Sequence, residues 1–384
     1  MVPRTLAIVA ALGLGQVVAF ASSYYLLGVL ADPMAQDLGL NPSAPFAALS
    51  AAFLLSAVLT PWAGRLIERR GGRVLLAASH VAFAAALLMM GSAPAPWLLL
   101  TGIAALGVGM AIGLYGTAFS VLVELRGAAA RRSITAVSLI GALGGGVGWP
   151  LSRLATQAWD WRAACLMWAL AHLAVCLPLV LAVLPKRPRP EEGHASVPVA
   201  PVRWDRRMAQ MAGVFACAWF VSTAMGAHLP RLLADLGMDL DRAAWAAGLM
   251  AASAIGARLF DLVVLHRSHP VATARLATLL HPLGAALAAV GGPRLAAAVA
   301  VGQGAGNGLL SVASGVLPLH VFGPDRYAVR QAMILTPARY LQAAAPAAYA
   351  LALDVSPGFA LAASSAVCLL MFALTFGLRP ISGR

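Results

Sequence analysis

The sequence predicts an all-α membrane protein, with twelve transmembrane helices in two six-helix halves of like orientation. Three observations carry this. The 384 residues are 61% hydrophobic and 11% charged, whereas a soluble domain carries about 25% charged residues. Long apolar runs recur along the whole chain, and runs of about 18 residues or more read as helices that cross a hydrocarbon core. The basic residues gather in alternate loops, as the positive-inside rule describes. Lipid gives an exposed backbone no hydrogen-bond partner, so each crossing segment is expected to be helical.

The elements follow in order. The first span, about 5–29, starts after a lone Arg4. It is longer than the apolar region of a cleaved leader, so it is expected to stay in place. The second (46–64) ends on the charged stretch "GRLIERRGGR", Gly64 to Arg73. The third (74–92) is apolar but for Ser79, His80 and Ser92, the fourth (97–121) carries "GVGMAIGL" and the fifth (134–157) "GALGGGVGWP". The sixth (163–184) ends at "PKRPRPEEGHASVPVAPVRWDRR", a Pro-rich charged stretch from 185 to 207 that reads as a cytoplasmic linker. The seventh (208–230) has His228 near its end, and the eighth (243–263) holds Arg258 and Asp261. The ninth (273–291), tenth (295–320, with "GQGAGNGL"), eleventh (331–352, with Arg339) and twelfth (359–378) complete the set. The domains are therefore expected at 1–184 and 208–384, joined by the linker 185–207.

With the N-terminus in the cytoplasm, twenty basic residues fall on that side and five (Arg153, Arg162, Arg231, Arg242, Arg294) on the other. Both termini are thus expected inside, the remote ends of the count resting on Arg187, Arg189, Arg379 and Arg384. The net charge of +13 reflects this loop bias rather than a nucleic-acid face. Cys165, Cys176, Cys217 and Cys368 all lie in apolar runs without CxxC spacing, so neither a disulfide framework nor a zinc site is expected. The "HRSH" loop (His266 to His269) lacks further ligands, and no metal or other cofactor is expected.

The halves repeat. "GVGMAIGL" and "GQGAGNGL" match at an offset of 195, Pro150 and Pro346 at 196, and "RLIE" (65–68) and "RLFD" (258–261) at 193. Ordered matches at nearly constant offset point to duplication, the architecture of transporters that alternate access.

The stretch at 64–73 resembles the loop signature of the major facilitator superfamily, Gly-x-x-x-Asp-Arg-x-Gly-Arg-Arg. Gly64, Arg69, Gly71 and Arg73 fit, while Glu68 replaces the Asp and Gly72 stands where an Arg is common. The resemblance implies the major facilitator fold, with Arg65 and Glu68 at a cytoplasmic gate and Arg258 and Asp261 as the second copy, which lacks the following Arg and Gly. "HLPRLLADLG" (228–237), "GNGLLSVASGVLPLHVFG" (306–323) and "YYLLGVLADPMAQDLG" (24–39) resemble bacterial members related to monocarboxylate transporters. The Arg that the family places in helix four is missing, with Ile103 or Ala105 there, and Trp149 interrupts the Gly-rich antiporter pattern of helix five.

An ionisable group inside a span is a functional candidate. Arg339 offers a fork for a carboxylate; alternatively it is structural, satisfied by helix-end carbonyls or by Asp261. Asp261, the only acid within a span, and His228 are the candidates for proton coupling. Arg258 and Asp261 share a helix face, and their level with Arg65 and Glu68 also fits a gate. Gln303 and Asn307, four apart, together with Tyr24, Tyr25, Tyr115 and Gln16, either line a cavity or make helix–helix contacts. His80, His172 and His281 read as structural. No clustered catalytic groups and no phosphate-binding GxxxxGK[ST] loop appear, so neither an enzyme nor a nucleotide-driven pump is expected. What remains is a secondary transporter of a small organic anion such as a monocarboxylate, in symport with protons or as a uniporter. The alternative is an efflux antiporter for a drug or other toxic compound. Its partners are the solute, protons and the bilayer of a bacterial inner membrane, not nucleic acid, and it is expected to be a monomer.

Overall fold

A computed structural model describes residues 3–186 and 201–378. Most of the expected linker, with Arg187 and Arg189, and the terminal Arg379 and Arg384 lie outside the described residues. The described residues contain helices and connecting turns and no strand.

Sixteen α-helices follow one another: α1 (Pro3–Ala21), α2 (Leu27–Asp37), α3 (Ala44–Arg70), α4 (Gly72–Gly91), α5 (Pro96–Gly113), α6 (Tyr115–Arg126), α7 (Arg131–Gly141), α8 (Gly144–Ala158), α9 (Trp161–Leu170), α10 (Leu177–Val183), α11 (Arg206–Asp235), α12 (Leu240–Val263), α13 (Pro270–Gly291), α14 (Ala297–Phe322), α15 (Tyr327–Val355) and α16 (Pro357–Leu374). Nine described segments are long and apolar enough to cross a membrane, and one of them, Pro96–Ala158, runs for 63 residues. The surface agrees: Val290 is 90% exposed and Leu351 70%, a wasteful arrangement in water and a natural one in lipid.

Three spans expected to be continuous are interrupted. The first breaks between α1 and α2 at residues 22–26, the fourth at Leu114, whose ψ of −173 ends α5, and the fifth at Ala142–Leu143. The sixth stays helical but widens to a π-helical turn at Ala171–Cys176, between α9 and α10.

Two compact units form. The first draws on Met1–Leu125, Gly144–Met208 and Pro324–Ala332; the second on Arg126–Leu143, Ala209–Gly323 and Met333–Arg384. Glycine governs close packing inside each. In the first unit, a Cβ on Gly144 would fall 2.8 Å from that of Phe20, and one on Gly148 2.7 Å from that of Ala21. The Gly-rich run of α8 thus lets it lie directly on α1. In the second, a Cβ on Gly304 would strike the Met250 carbonyl and one on Gly308 would lie 2.5 Å from the Ala254 carbonyl, which seats α14 on α12. Such backbone-to-backbone approach is how helices associate where lipid removes the hydrophobic drive.

Candidate functional site

In the first unit, the loop at 64–73 is built as its residue types require. Gly71 ends α3 at φ +80, a left-handed conformation that glycine adopts without strain. Gly64 has no room for a side chain: a Cβ there would sit 2.7 Å from that of Ala332 and 2.8 Å from the Ala328 carbonyl, so α3 and the start of α15 touch main chain to main chain. Glu68 then meets the beginning of α15. Its Oε2 pairs with Arg326 Nε at 2.6 Å, and its Oε1 accepts a long bond, 3.4 Å, from the Val329 amide. A carboxylate against the first turn of a helix satisfies amides that have no partner within the helix and opposes the helix dipole favourably. Arg326 is the one described non-glycine residue at positive φ, +54, a strain of about 1–2 kcal/mol that the ion pair helps to hold. Arg73 reaches the far side of the loop and donates to the Leu181 carbonyl at 2.6 Å. Arg65 and Arg69 point outward and are exposed.

The second copy of the motif is held differently. Within the second unit, Asp261 is 1% exposed. It accepts from Thr135 Oγ1 at 3.0 Å and lies 4.0 Å from Arg131. Arg258 donates from Nε to the hydroxyls of Ser138 (3.2 Å) and Ser311 (3.0 Å), and from Nη1 to the Ala254 carbonyl at 3.1 Å. The two residues share one face of α12, as their spacing implied, and each is met by polar groups of α7. Thr135, Ser138 and Ser311 escaped notice in the sequence because a Ser or Thr in a span ordinarily bonds back to its own helix.

The aromatic candidates converge in the first unit. Tyr24 and Tyr25 occupy the break after α1, and Tyr115 begins α6 directly after the break at Leu114. Tyr115 lies 4.8 Å from the ring of Phe20 and stacks on Phe119 at 5.1 Å; Tyr24 meets Phe53 at 5.7 Å and Tyr25 meets Trp149 edge-on at 5.5 Å. Trp149 also donates its indole N–H to the Tyr25 carbonyl at 3.0 Å. The residue that spoils the antiporter pattern therefore pins the break in the first span. All three tyrosines are only partly buried. Irregular backbone at membrane depth is tolerated where protein or a water-filled cavity covers it, and broken helices mark binding sites in transporters. Gln16 is not part of this surface: it is buried and donates to the Gly113 carbonyl at 2.8 Å, a helix–helix tie.

In the second unit, Gln303 and Asn307 do share a face. They line a small interior cavity with His281, Ala277 and Cys368. His228 lies against α15, its Nε2 2.8 Å from the Pro346 carbonyl. A carbonyl only accepts, so Nε2 carries the hydrogen and Nδ1 is the nitrogen left for a proton or an anion's donor network. Arg339 is partly buried on α15, two residues after Pro337 and one turn before the buried Gln342. The arrangement therefore supplies a partly exposed aromatic surface at helix breaks in one unit, and a fixed guanidinium, an imidazole and a buried carboxylate in the other.

A chain of apolar crossing helices, interrupted where aromatic and polar groups gather, is a multi-pass membrane transporter in architecture. The Major Facilitator Superfamily profile matches residues 12–341, and the chain belongs to that superfamily of secondary transporters. No curated protein matches it. Among solved structures it is similar to the human organic anion transporter MFSD10 (TETRAN), at 15% identity and a TM-score of 0.75, covering 98% of this chain and 100% of that one. It is similar also to the transporter FucP in the outward conformation, at 14% identity and a TM-score of 0.77, covering 99% of each chain. A variant of the E. coli fucose:proton symporter FucP matches at 14% identity, a TM-score of 0.75 and 99% coverage of both. At these identities the likeness is one of fold.

Proposed function

We propose that the chain carries a small organic anion, of the monocarboxylate kind, across the inner membrane of a bacterium by alternating access, as a monomer with both termini in the cytoplasm. Twelve crossings suit this reading: nine apolar segments, the longest of them counted twice, together with α12 and α15. They form halves at 1–184 and 208–384 joined by the linker 185–207. The observation that carries the substrate class is Arg339. An Arg at mid-membrane costs at least ~2.5 kcal/mol to insert, and a partly buried one two residues after Pro337 is well placed to repay that by holding a carboxylate on its fork. An organic anion transporter and a sugar–proton symporter have this fold, so both an anionic cargo and proton coupling are compatible with it. Asp261 and His228 are the groups that would carry the proton.

A second reading, efflux of an apolar toxic compound, draws on the aromatic surface of Tyr24, Tyr25, Tyr115 and Trp149. The two readings separate by experiment. A thermal-shift screen of purified protein against carboxylates, amino acids, sugars and oxyanions finds the ligand class. Binding is then measured to wild type, Arg339→Lys and Arg339→Ala, with folding checked by gel filtration. The anion reading expects partial loss for Lys, which keeps the charge and loses the fork. It expects a loss of roughly 2–5 kcal/mol for Ala, the usual cost of truncating one partner of a buried charged contact. Equal affinity in all three folded proteins would make Arg339 structural and leave the efflux reading.

A further inference from the structure

The sequence reads His80, His172 and Cys176 as unrelated apolar-span residues. The fold of the first unit brings them together. His80 projects from α4, while His172 and Cys176 both lie in the π-helical turn at Ala171–Cys176. Their ligand atoms all lie within 4.8 Å of one another, and no further His, Cys, Asp or Glu joins them among the described residues. Exposure is 3%, 0% and 1% respectively. The two Nδ1 atoms are 3.0 Å apart.

The hydrogen-bond inventory leaves a remainder here. Ser22 Oγ lies 2.8 Å from His172 Nε2 and 3.5 Å from the Ala19 carbonyl. If the hydroxyl accepts from His172 Nε2–H, then His172 Nδ1 accepts from His80 Nδ1–H and the lone pair of His80 falls on Nε2; if the hydroxyl donates, the order reverses and His80 Nε2 carries the hydrogen. In both orders His80 Nε2 is buried and has no partner. Nε2 faces α1 at Gly15, where a Cβ would lie 3.6 Å away, and Phe83 stacks on the His172 ring at 4.9 Å. A buried ring nitrogen without a partner is costly. Tautomeric exchange on one ring would move the shared proton to its Nε2 and free both Nδ1 lone pairs for an ion that Cys176 also reaches. The outer bond from Ser22 to His172 is the kind that orients a metal-bound imidazole. π-Helical turns also occur often at functional sites.

We propose that His80, His172 and Cys176 form a binding site for a soft monovalent cation, copper(I). A soft thiolate with two imidazoles is a donor set that copper takes. Charge decides between copper(I) and zinc. Binding is written Cu⁺ + Cys176–SH + two neutral imidazoles → Cu(His80)(His172)(Cys176–S⁻) + H⁺, with no change of oxidation state. The product is neutral. Zinc would leave one positive charge in an apolar core that contains Phe83 and Cys176, at a large desolvation cost. Structural zinc also takes four ligands almost always, and this group offers three. The ion would fasten α4 to the sixth span and, through Ser22, to the break that carries Tyr24 and Tyr25.

The test is titration of the full-length protein in detergent with copper(I), without oxygen, against a chromophoric copper(I) chelator. The expected result is one tightly bound ion per chain, with silver(I) competing as a redox-inert probe. Cys176→Ser and His80→Ala are expected to weaken binding by about 100-fold or more, and Ser22→Ala by about 10–100-fold, the range for an outer-shell partner. Cys165→Ser, the removal of another buried cysteine, should leave binding unchanged. X-ray absorption of the loaded wild type should show one sulfur among its nearest neighbours, which tests the site even where a variant fails to fold. The proposal is overturned by the absence of a stoichiometric site, by first neighbours without sulfur, by binding that survives Cys176→Ser in a folded protein, or by a single zinc ion bound as tightly as copper(I).

Discussion

The two units solve the same helical pattern in opposite ways. The fourth span carries "GVGMAIGL" and breaks at Leu114; its counterpart in the second unit carries "GQGAGNGL" and runs unbroken as α14 from Ala297 to Phe322. The first span breaks as well, and the fifth breaks between α7 of the second unit and α8 of the first, whereas α11 and α15 are continuous, α15 despite Pro337 and Pro346. Glycine content does not decide this, since both copies have it. The neighbours do. After Leu114 comes Tyr115, whose ring is taken up by Phe20 and Phe119. At the corresponding level of α14 stands Ser311, which donates to the Gly308 carbonyl of its own helix and accepts from Arg258. One unit spends its interior on aromatic contacts where helices break, and the other on charge held against the unbroken α12 and α14. By role the repeat also shifts slightly. Gly107 meets the Ala52 carbonyl of α3 and Gly304 the Met250 carbonyl of α12, so Gly107 corresponds to Gly304 rather than to Gly302.

The largest expected effect breaks the straight half. Gly304→Val would drive a side chain into the Met250 carbonyl and the Ser253 hydroxyl. It should cost about 3 kcal/mol or more, beyond the usual range for overpacking, and show as a lower melting temperature and lost monodispersity in detergent. Gly146→Ala, in open space on α8, should change stability by less than about 1 kcal/mol. Equal effects would mean that close backbone contact is not what seats α14 on α12.

Next comes the buried charge. Asp261→Asn keeps the volume and an acceptor for Thr135 but removes the charge facing Arg131. A loss of about 1–3 kcal/mol is expected, typical of hydrogen bonds to charged groups. If Asp261 carries the proton, uphill accumulation should disappear while exchange persists. Accumulation that continues in both Asp261→Asn and His228→Ala would place coupling elsewhere.

Much of this was legible beforehand, and the reasons are physical. Crossing helices announce themselves by long apolar runs, and Gly64 and Gly71 by a motif whose glycines the backbone requires. That Glu68 belongs to a loop signature was legible; its partner, Arg326, depends on a contact 258 positions away. The breaks were not legible. "SSYYL" at 22–26 has neither Gly nor Pro, and it opens because Trp149 takes the Tyr25 carbonyl. Nor could spacing reveal that His80 meets His172, 92 positions on.

A smaller effect sharpens the comparison at the loop signature. Glu68→Gln leaves Arg326 without its counter-charge and weakens the contact with the Val329 amide. A loss of about 1 kcal/mol, near the upper value for a partly exposed pair, and slower transport are expected. Unchanged transport and unchanged accessibility of cysteines introduced beside this loop would reduce it to a topological anchor.

The smallest effect is at the opposite loops. The hydrogen bond from Arg162 at 2.6 Å holds the Asp37 carboxyl below its ordinary range, with the guanidinium charge adding to it. A lowered folded value stabilises the protein above the unfolded value of about 3.9, and that advantage is lost as pH falls through the folded value. Unfolding of wild type and Asp37→Asn should therefore differ slightly at pH 6 and converge in acid. A difference that persists in acid would point to shape rather than charge.

The ion pairs named here, Glu68–Arg326, Asp37–Arg162, Asp261–Arg131 and the pair of Arg231 with Asp354, share one trait: the cation is always a guanidinium. Lys186 is the only lysine in the chain. A guanidinium keeps its proton throughout the range in which proteins work, so each fastening has a single titratable end. Acid alone can undo them. On the alkaline side these contacts have no pH at which they let go, and a carrier built this way responds to pH in one direction only.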